Sequence, residues 1–407
     1  MILIKTINYI ITRIKFILIV YSVIGSTGVS SPQSLNQGLP IICGAERLDE
    51  YLSILLGKKV ALIVNQTSRC GKRHLLDTLI SLSVNVVKVF GPEHGFRGDI
   101  PAGKYVKDYK DPTTGIEVIS LYGEKKKPSA KDLENVDILI FDIQDVGARF
   151  FTYISTMALC MEACAESGKK FIVLDRPNPN GFYIDGPVLE PSCSSFVGMH
   201  PVPIVHGMTV GEYAKMLNGE KWLTKNLTCD LTVIPCLNYS HKTRYIAPIP
   251  PSPNLNTPEA IYLYPSLCLF EGTIMSVGRG TQRPFTMVGH PQFKIGSFSF
   301  TPVPIEGMSD NPKFKGQKCY GYDLSQYALN ILRENGRIEL FWIIDSHNQF
   351  KDLNFFNDYF DKLAGNKTLR QQILSGKSED DIRKSWENDL KKFKDIRKRY
   401  IIYEDFY

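Results

Sequence analysis

The sequence predicts an α/β protein: a Rossmann-like parallel-sheet domain followed by a smaller α+β C-terminal auxiliary domain. Three observations predict it. Short, mostly apolar runs, at 60–64 and 136–141, read as strands buried on both faces. Amphipathic helical stretches alternate with those runs. The densest proline cluster, Ile249-Pro250-Pro251-Ser252-Pro253-Asn254, falls where the alternation stops and marks a boundary near 255.

Taken in order, residues 33–43 are polar and loop-like, and 60–64 form the first strand. Leu75, Leu76, Leu79 and Ile80 share one face of a helix over about 74–82. A second strand over 84–90 ends in Gly91-Pro92-Glu93-His94-Gly95. A third, over 116–121, follows the turn at Asp111-Pro112, and a fourth, over 136–141, ends in Asp142. Phe150, Ile154, Met157, Met161 and Ala165 recur at helical spacing over 150–167, with Cys160 and Cys164 read as buried packing on that helix. The strand at 170–174 ends in Asp175-Arg176-Pro177. The second half is less regular and closes with a helix whose stripe is Ile382, Trp386, Leu390, Phe393, Ile396 and Tyr400. Its basic residues Lys391, Lys392, Lys394, Arg397, Lys398 and Arg399 read as a solvated outer face. The expected organisation is a leader over 1–32, a catalytic domain over 44–255 and an auxiliary domain over 256–407.

Composition narrows the function. The 407 residues are 43% hydrophobic and 22% charged, which excludes a fibrous or disordered chain. The net charge of +6 includes Lys5, Arg13 and Lys15, and the rest is nearly neutral, against a nucleic-acid binder. Those three cations precede the apolar stretch 16–24 and the small residues Gly25-Ser26-Thr27-Gly28, the pattern of a cleaved secretory signal. The apolar stretch is too short to span a bilayer, which takes about 20 residues. An exported protein, periplasmic or extracellular, with no stable membrane insertion is expected. Nine cysteines without a C-x-x-C pair give no support to a zinc site. His200, His206 and Glu212 lack metal-ligand spacing, so no metal is expected. Gly-rich dinucleotide, P-loop and G-x-S-x-G motifs are missing from their usual places, so no cofactor is expected.

Ligands of parallel sheets bind outside the carboxyl ends of the strands. Glu93, Asp142, Asp145 and Asp175 follow three such ends and are expected to line one rim. In Gly91-Pro92-Glu93-His94-Gly95-Phe96-Arg97-Gly98, glycines let a ligand approach the backbone. Glu93 there is the candidate general acid, with His94 and Arg97 beside it. Phe96 is read as an apolar neighbour that keeps the acid protonated. Asp142, at a strand end, is its candidate catalytic partner. Gln144, Asp145, Arg149 and Tyr153 are candidate substrate contacts, Asp145 having a second reading as a helix N-cap. Asp175, Arg176 and Asn178 add an acid, a cation and an amide that suit a hydroxyl-rich ligand. His206 is a further rim candidate.

These clusters, with Glu271-Gly272-Thr273 and Ser276-Val277-Gly278-Arg279-Gly280-Thr281, resemble the exo-acting β-N-acetylmuramidases of peptidoglycan, the NamZ-type family. The resemblance runs from about residue 44 to the C-terminus and is strongest over 60–290. The position before Pro251-Ser252-Pro253-Asn254 departs from the Trp of the family pattern. The resemblance implies a Rossmann-like domain, an auxiliary domain, and a cleft involving both. It also implies release of N-acetylmuramic acid from the non-reducing end of peptidoglycan-derived saccharides, with Glu93 as the favoured catalytic residue. Glu271 and Arg279 join the substrate contacts. Either Arg149 or Arg279 is expected to grip the lactyl carboxylate of muramic acid. The rival reading is a non-catalytic periplasmic protein that binds sugars or muropeptides.

Overall fold

Val60–Val64 (β1) is buried along its whole length, and its five apolar residues leave it no solvated face. It forms the middle of a seven-stranded sheet. The other strands are Val86–Gly91 (β2), Tyr109–Lys110 (β3), Glu117–Ser120 (β4), Ile138–Asp142 (β5), Lys170–Leu174 (β6) and Asp230–Ile234 (β7). Their spatial order is β7-β6-β5-β1-β2-β4-β3, and every pairing is parallel except that of the short edge strand β3. The chain winds out along one half of the sheet, returns past β1 and winds out along the other. The computed structural model describes residues 39–93, 95–97, 108–293, 298–351 and 353–407. The leader expected over 1–32 and the His94 candidate lie outside these residues.

Helices Leu75–Ser81 (α1), Tyr153–Ser167 (α2) and Val210–Gly219 (α3) belong to the sheet crossovers. The helix α2 stops at Gly168, whose positive φ of 63° lets its N–H reach back to the Cys164 carbonyl. A capping box between Thr209 and Glu212 starts α3. Leu62, Val64, Leu76, Val89, Phe96, Ile140 and Ile172 pack together in one core around the sheet.

The second part opens with Pro258–Leu267 (α4). It carries a three-stranded antiparallel sheet of Met287–His290 (β8), Phe298–Phe300 (β9) and Cys319–Asp323 (β10), in the order β8-β10-β9. The closing helix Glu379–Arg397 (α5) runs back over the first part, against Asp185–Val188. The auxiliary region thus mixes helices and antiparallel strands as expected.

Two local expectations fail. The helix α2 begins at Tyr153, three residues later than the spacing suggested, so Asp145 is not its N-cap. Instead Asp145 Oδ1 accepts the Gly147 N–H at 2.7 Å. In α5, Arg397 is not on a solvated face. It is fully buried, donating to the Gly207 carbonyl and, in a fork, to Asp405 at 2.6 and 2.9 Å.

Candidate active site

The loops leaving β2 and β4 meet α4 and its continuation across a cavity of about 520 Å³. That size suits a drug-sized or disaccharide ligand. Glu93 follows β2 by two residues and reaches this cavity, where the Tyr122 side chain, from the loop after β4, lies beside it. Burial, helped by the neighbouring Glu93, pushes the Tyr122 phenol up to about 12, so it keeps its proton. Glu271 enters from the turn after α4. Arg279 holds it in a fork at 2.6 and 3.2 Å, which fixes the direction of its carboxylate. The Arg279 guanidinium lies 4.9 Å over the Phe285 ring.

The walls are aromatic. Phe150, Phe151 and Tyr153 come from the start of α2, Phe196 from the loop beyond, and Tyr264, Phe285 and Tyr359 from the second part. Tyr153 donates to the Pro251 carbonyl at 3.4 Å. Ser252 and Asn254, in the proline cluster, complete one wall. Lys126 sits 4.5 Å over the face of Phe196. It is the one cation of the cavity wall that no carboxylate of the described residues holds.

Of the residues singled out from sequence, the cavity gathers Glu93, Tyr153, Glu271 and Arg279. Asp142 is elsewhere. It is fully buried and both its oxygens are taken by Arg176, at 2.6 and 2.9 Å. Burial raises its pKa while the guanidinium opposes the rise. Arg176 also donates to the Arg69 carbonyl at 3.0 Å, so neither partner faces a ligand.

Asp175 accepts from Thr209, Gly211 and Tyr403 at 2.6–2.8 Å, and burial lifts it to about 6. Arg149 is not a lactyl grip. Its two terminal nitrogens donate to the carbonyls of Pro187, Val202, Leu363 and Ala364, and burial lowers it to about 10. Asn178 donates to the Met208 carbonyl, and Gln144 to those of Asp145 and Pro177. Arg97 turns to Asp111 and Asp77. Phe96 packs into the sheet core against His74, away from the Glu93 carboxyl's cavity. His206 is buried, its Nδ1 accepting the Met208 N–H. Asp145 is nearly buried, lifted to about 7 by burial, with Oδ2 unpartnered among the described residues.

Sequence reasoning missed Tyr122, Lys126 and, apart from Tyr153, the aromatic wall. One signal was present: Phe150, Phe151 and Tyr153 crowd the end of the second motif. Phe196 and Tyr359 carry no local signal, because only tertiary packing brings them to the cavity. Among the described residues no group of acids, histidines and cysteines is arranged to hold a metal.

Two acids in an aromatic-walled cleft beside a parallel sheet define a site of the glycoside-hydrolase kind. The chain belongs to the exo-β-N-acetylmuramidase NamZ family, whose N-terminal model matches residues 60–259 and whose C-terminal model matches 262–403. It is 40% identical over 398 residues to the peptidoglycan β-N-acetylmuramidase NamZ of Bacillus subtilis strain 168, covering 92% of this chain and 95% of that protein. A crystal structure of a DUF1343 family protein from Bacteroides fragilis superposes with a TM-score of 0.83 at 46% identity, covering 90% of this chain and all of the other. A second from the same organism gives 0.77 at 32%, covering 89% and 99%.

Proposed function

We propose that the chain is an exo-acting glycosidase that releases N-acetylmuramic acid from the non-reducing end of peptidoglycan fragments. Glu93 is its general acid and Glu271 its second carboxylate. The observation that carries this reading is the meeting of these two carboxyl groups in one aromatic-walled cavity, in a chain of this family. Glycoside hydrolysis needs one carboxyl group to protonate the leaving oxygen and another to act on the sugar's anomeric side. Tyr122 stands beside Glu93, Arg279 orients Glu271, and the rings offer apolar faces to a pyranose. Lys126 replaces Arg149 and Arg279 as the partner of the lactyl carboxylate, since both arginines are held by protein groups.

The test is hydrolysis of a chromogenic N-acetylmuraminide and of a natural disaccharide ending in N-acetylmuramic acid. Wild-type protein is expected to release the sugar from both. Glu271→Gln is expected to slow both by about 10²–10⁴-fold. Binding of the disaccharide without its cleavage would favour the non-catalytic reading instead.

What supports export is the basic and apolar N-terminal pattern together with a substrate polymer that lies outside the membrane. No helix of the described residues is long and apolar enough to cross a membrane. Intact-mass analysis of protein from its native envelope is expected to show a chain starting between about residues 25 and 33. A chain starting at Met1 would contradict export by cleavage.

A further inference from the structure

Ile42 and Leu237 exchange both backbone hydrogen bonds across an antiparallel bridge, at 3.1 and 2.8 Å. The next residues along the two segments are Cys43 and Cys236. Neither donates across the pair. The Cys43 N–H goes to Glu46 Oε2 at 3.0 Å, and the Cys236 N–H to the Tyr403 hydroxyl at 2.9 Å. They therefore hold the non-hydrogen-bonded position of an antiparallel pair, where Cα atoms approach to about 4.5 Å and side chains lie closest. A disulfide takes Cα separations of roughly 4.4–6.8 Å. The two thiols are buried and lie close enough for each to shift the other's titration.

We propose that Cys43 and Cys236 are a disulfide-forming pair that fastens residues 41–43, at the start of the compact unit, to the segment leaving β7. Their surroundings favour the step. The neighbouring Cys236 thiol and the nearby Arg176 guanidinium hold the Cys43 thiol below its ordinary range despite burial, so Cys43 is the nucleophile. Its thiolate attacks one sulfur of an external disulfide, giving a mixed disulfide and one free thiolate. Cys236 passes its proton to that thiolate, and its own sulfur displaces the second thiol. The two cysteines are oxidised by two electrons and the external disulfide is reduced to two thiols. The bond would lie beneath the end of β6, where the Asp175 carbonyl accepts from both Gly44 N–H, at 2.9 Å, and Cys236 Sγ, at 3.2 Å. It would tie the N-terminal segment, β6, β7 and the Tyr403 segment at one point.

The test uses the full chain, incubated natively with oxidised glutathione and digested without reduction. Expected is a peptide joining Cys43 to Cys236, lighter by two hydrogens, together with a higher urea midpoint that dithiothreitol reverses. Cys43→Ser and Cys236→Ser should each abolish the cross-link and the shift. Cys319→Ser, which alters a thiol of β10 in the separate three-stranded sheet, should keep both. A glutathione adduct on Cys43 with Cys236 still free would overturn the proposal. So would two thiols that stay unreacted, a result readable on wild-type protein even if a variant fails to fold.

Discussion

The ends of β2 and β5 look alike in sequence and differ in chemistry. Each buried apolar strand delivers an acid to the ligand-binding edge of the sheet. At the end of β2, Glu93 meets a tyrosine hydroxyl and an open cavity. At the end of β5, Asp142 meets a guanidinium that takes both its oxygens, and no exposed surface remains. The end of β6 follows the second pattern, with Asp175 satisfied by four donors from α3, its N-cap and nearby loops, and the C-terminal segment. Position at a strand end therefore nominates an acid. What its partners leave unsatisfied decides whether it serves a ligand or the fold.

The comparison breaks most visibly at Arg176. Arg176→Ala leaves Asp142 buried without its cation, and removing one partner of such a pair is expected to destabilise by about 3–5 kcal/mol. Urea unfolding measures this. Loss of activity at unchanged stability would instead put Arg176 in the site. A smaller effect falls on the cavity side. Lys126→Met is expected to raise KM for a free-acid muraminide roughly tenfold or more, the worth of a hydrogen bond to a charged group. The methyl ester of the same substrate should be nearly unaffected. Equal changes on acid and ester would remove Lys126 from carboxylate recognition.

A third effect is a matter of pH. Burial lowers His206 from 6.5 to about 3, so its neutral form favours the folded state. That contribution is complete above pH 6.5 and is lost as the pH falls toward 3. Asp175, raised from 3.8 to about 6, has the opposite sign and loses stability as the pH rises through that window. His206→Phe should flatten the acid side of the stability profile, and Asp175→Asn should remove part of the opposing slope. Urea midpoints between pH 3 and 7 test both.

How legible the molecule was follows the same division. The strands at 60–64 and 170–174 could be read to the residue, because strands buried on both faces are apolar along their buried length, 171–174 following the half-buried Lys170. Glu93 was legible because it stands on a loop that a strand end dictates. Arg149 was misread for a physical reason. A guanidinium beside acids suggests a ligand fork, yet its donors join carbonyls at 187 and 202 to others at 363 and 364, which no local pattern reveals. Arg397 was misread likewise, since its neighbours in sequence are solvated and its partners, Gly207 and Asp405, come from elsewhere. Lys126 and Phe196 carry no sign of their pairing until the loops fold together.

The most direct test of this division compares Glu93→Gln with Asp142→Asn, measuring both turnover of a muramic-acid disaccharide and urea stability. Glu93→Gln keeps the side chain's shape and removes its transferable proton. It should lose about 10²–10⁴-fold in turnover while unfolding like the wild type. Asp142→Asn leaves Arg176 without its counter-charge and should lose stability first, with turnover per folded molecule largely kept. Near-normal turnover in Glu93→Gln, or a fully folded but inactive Asp142→Asn, would contradict the account.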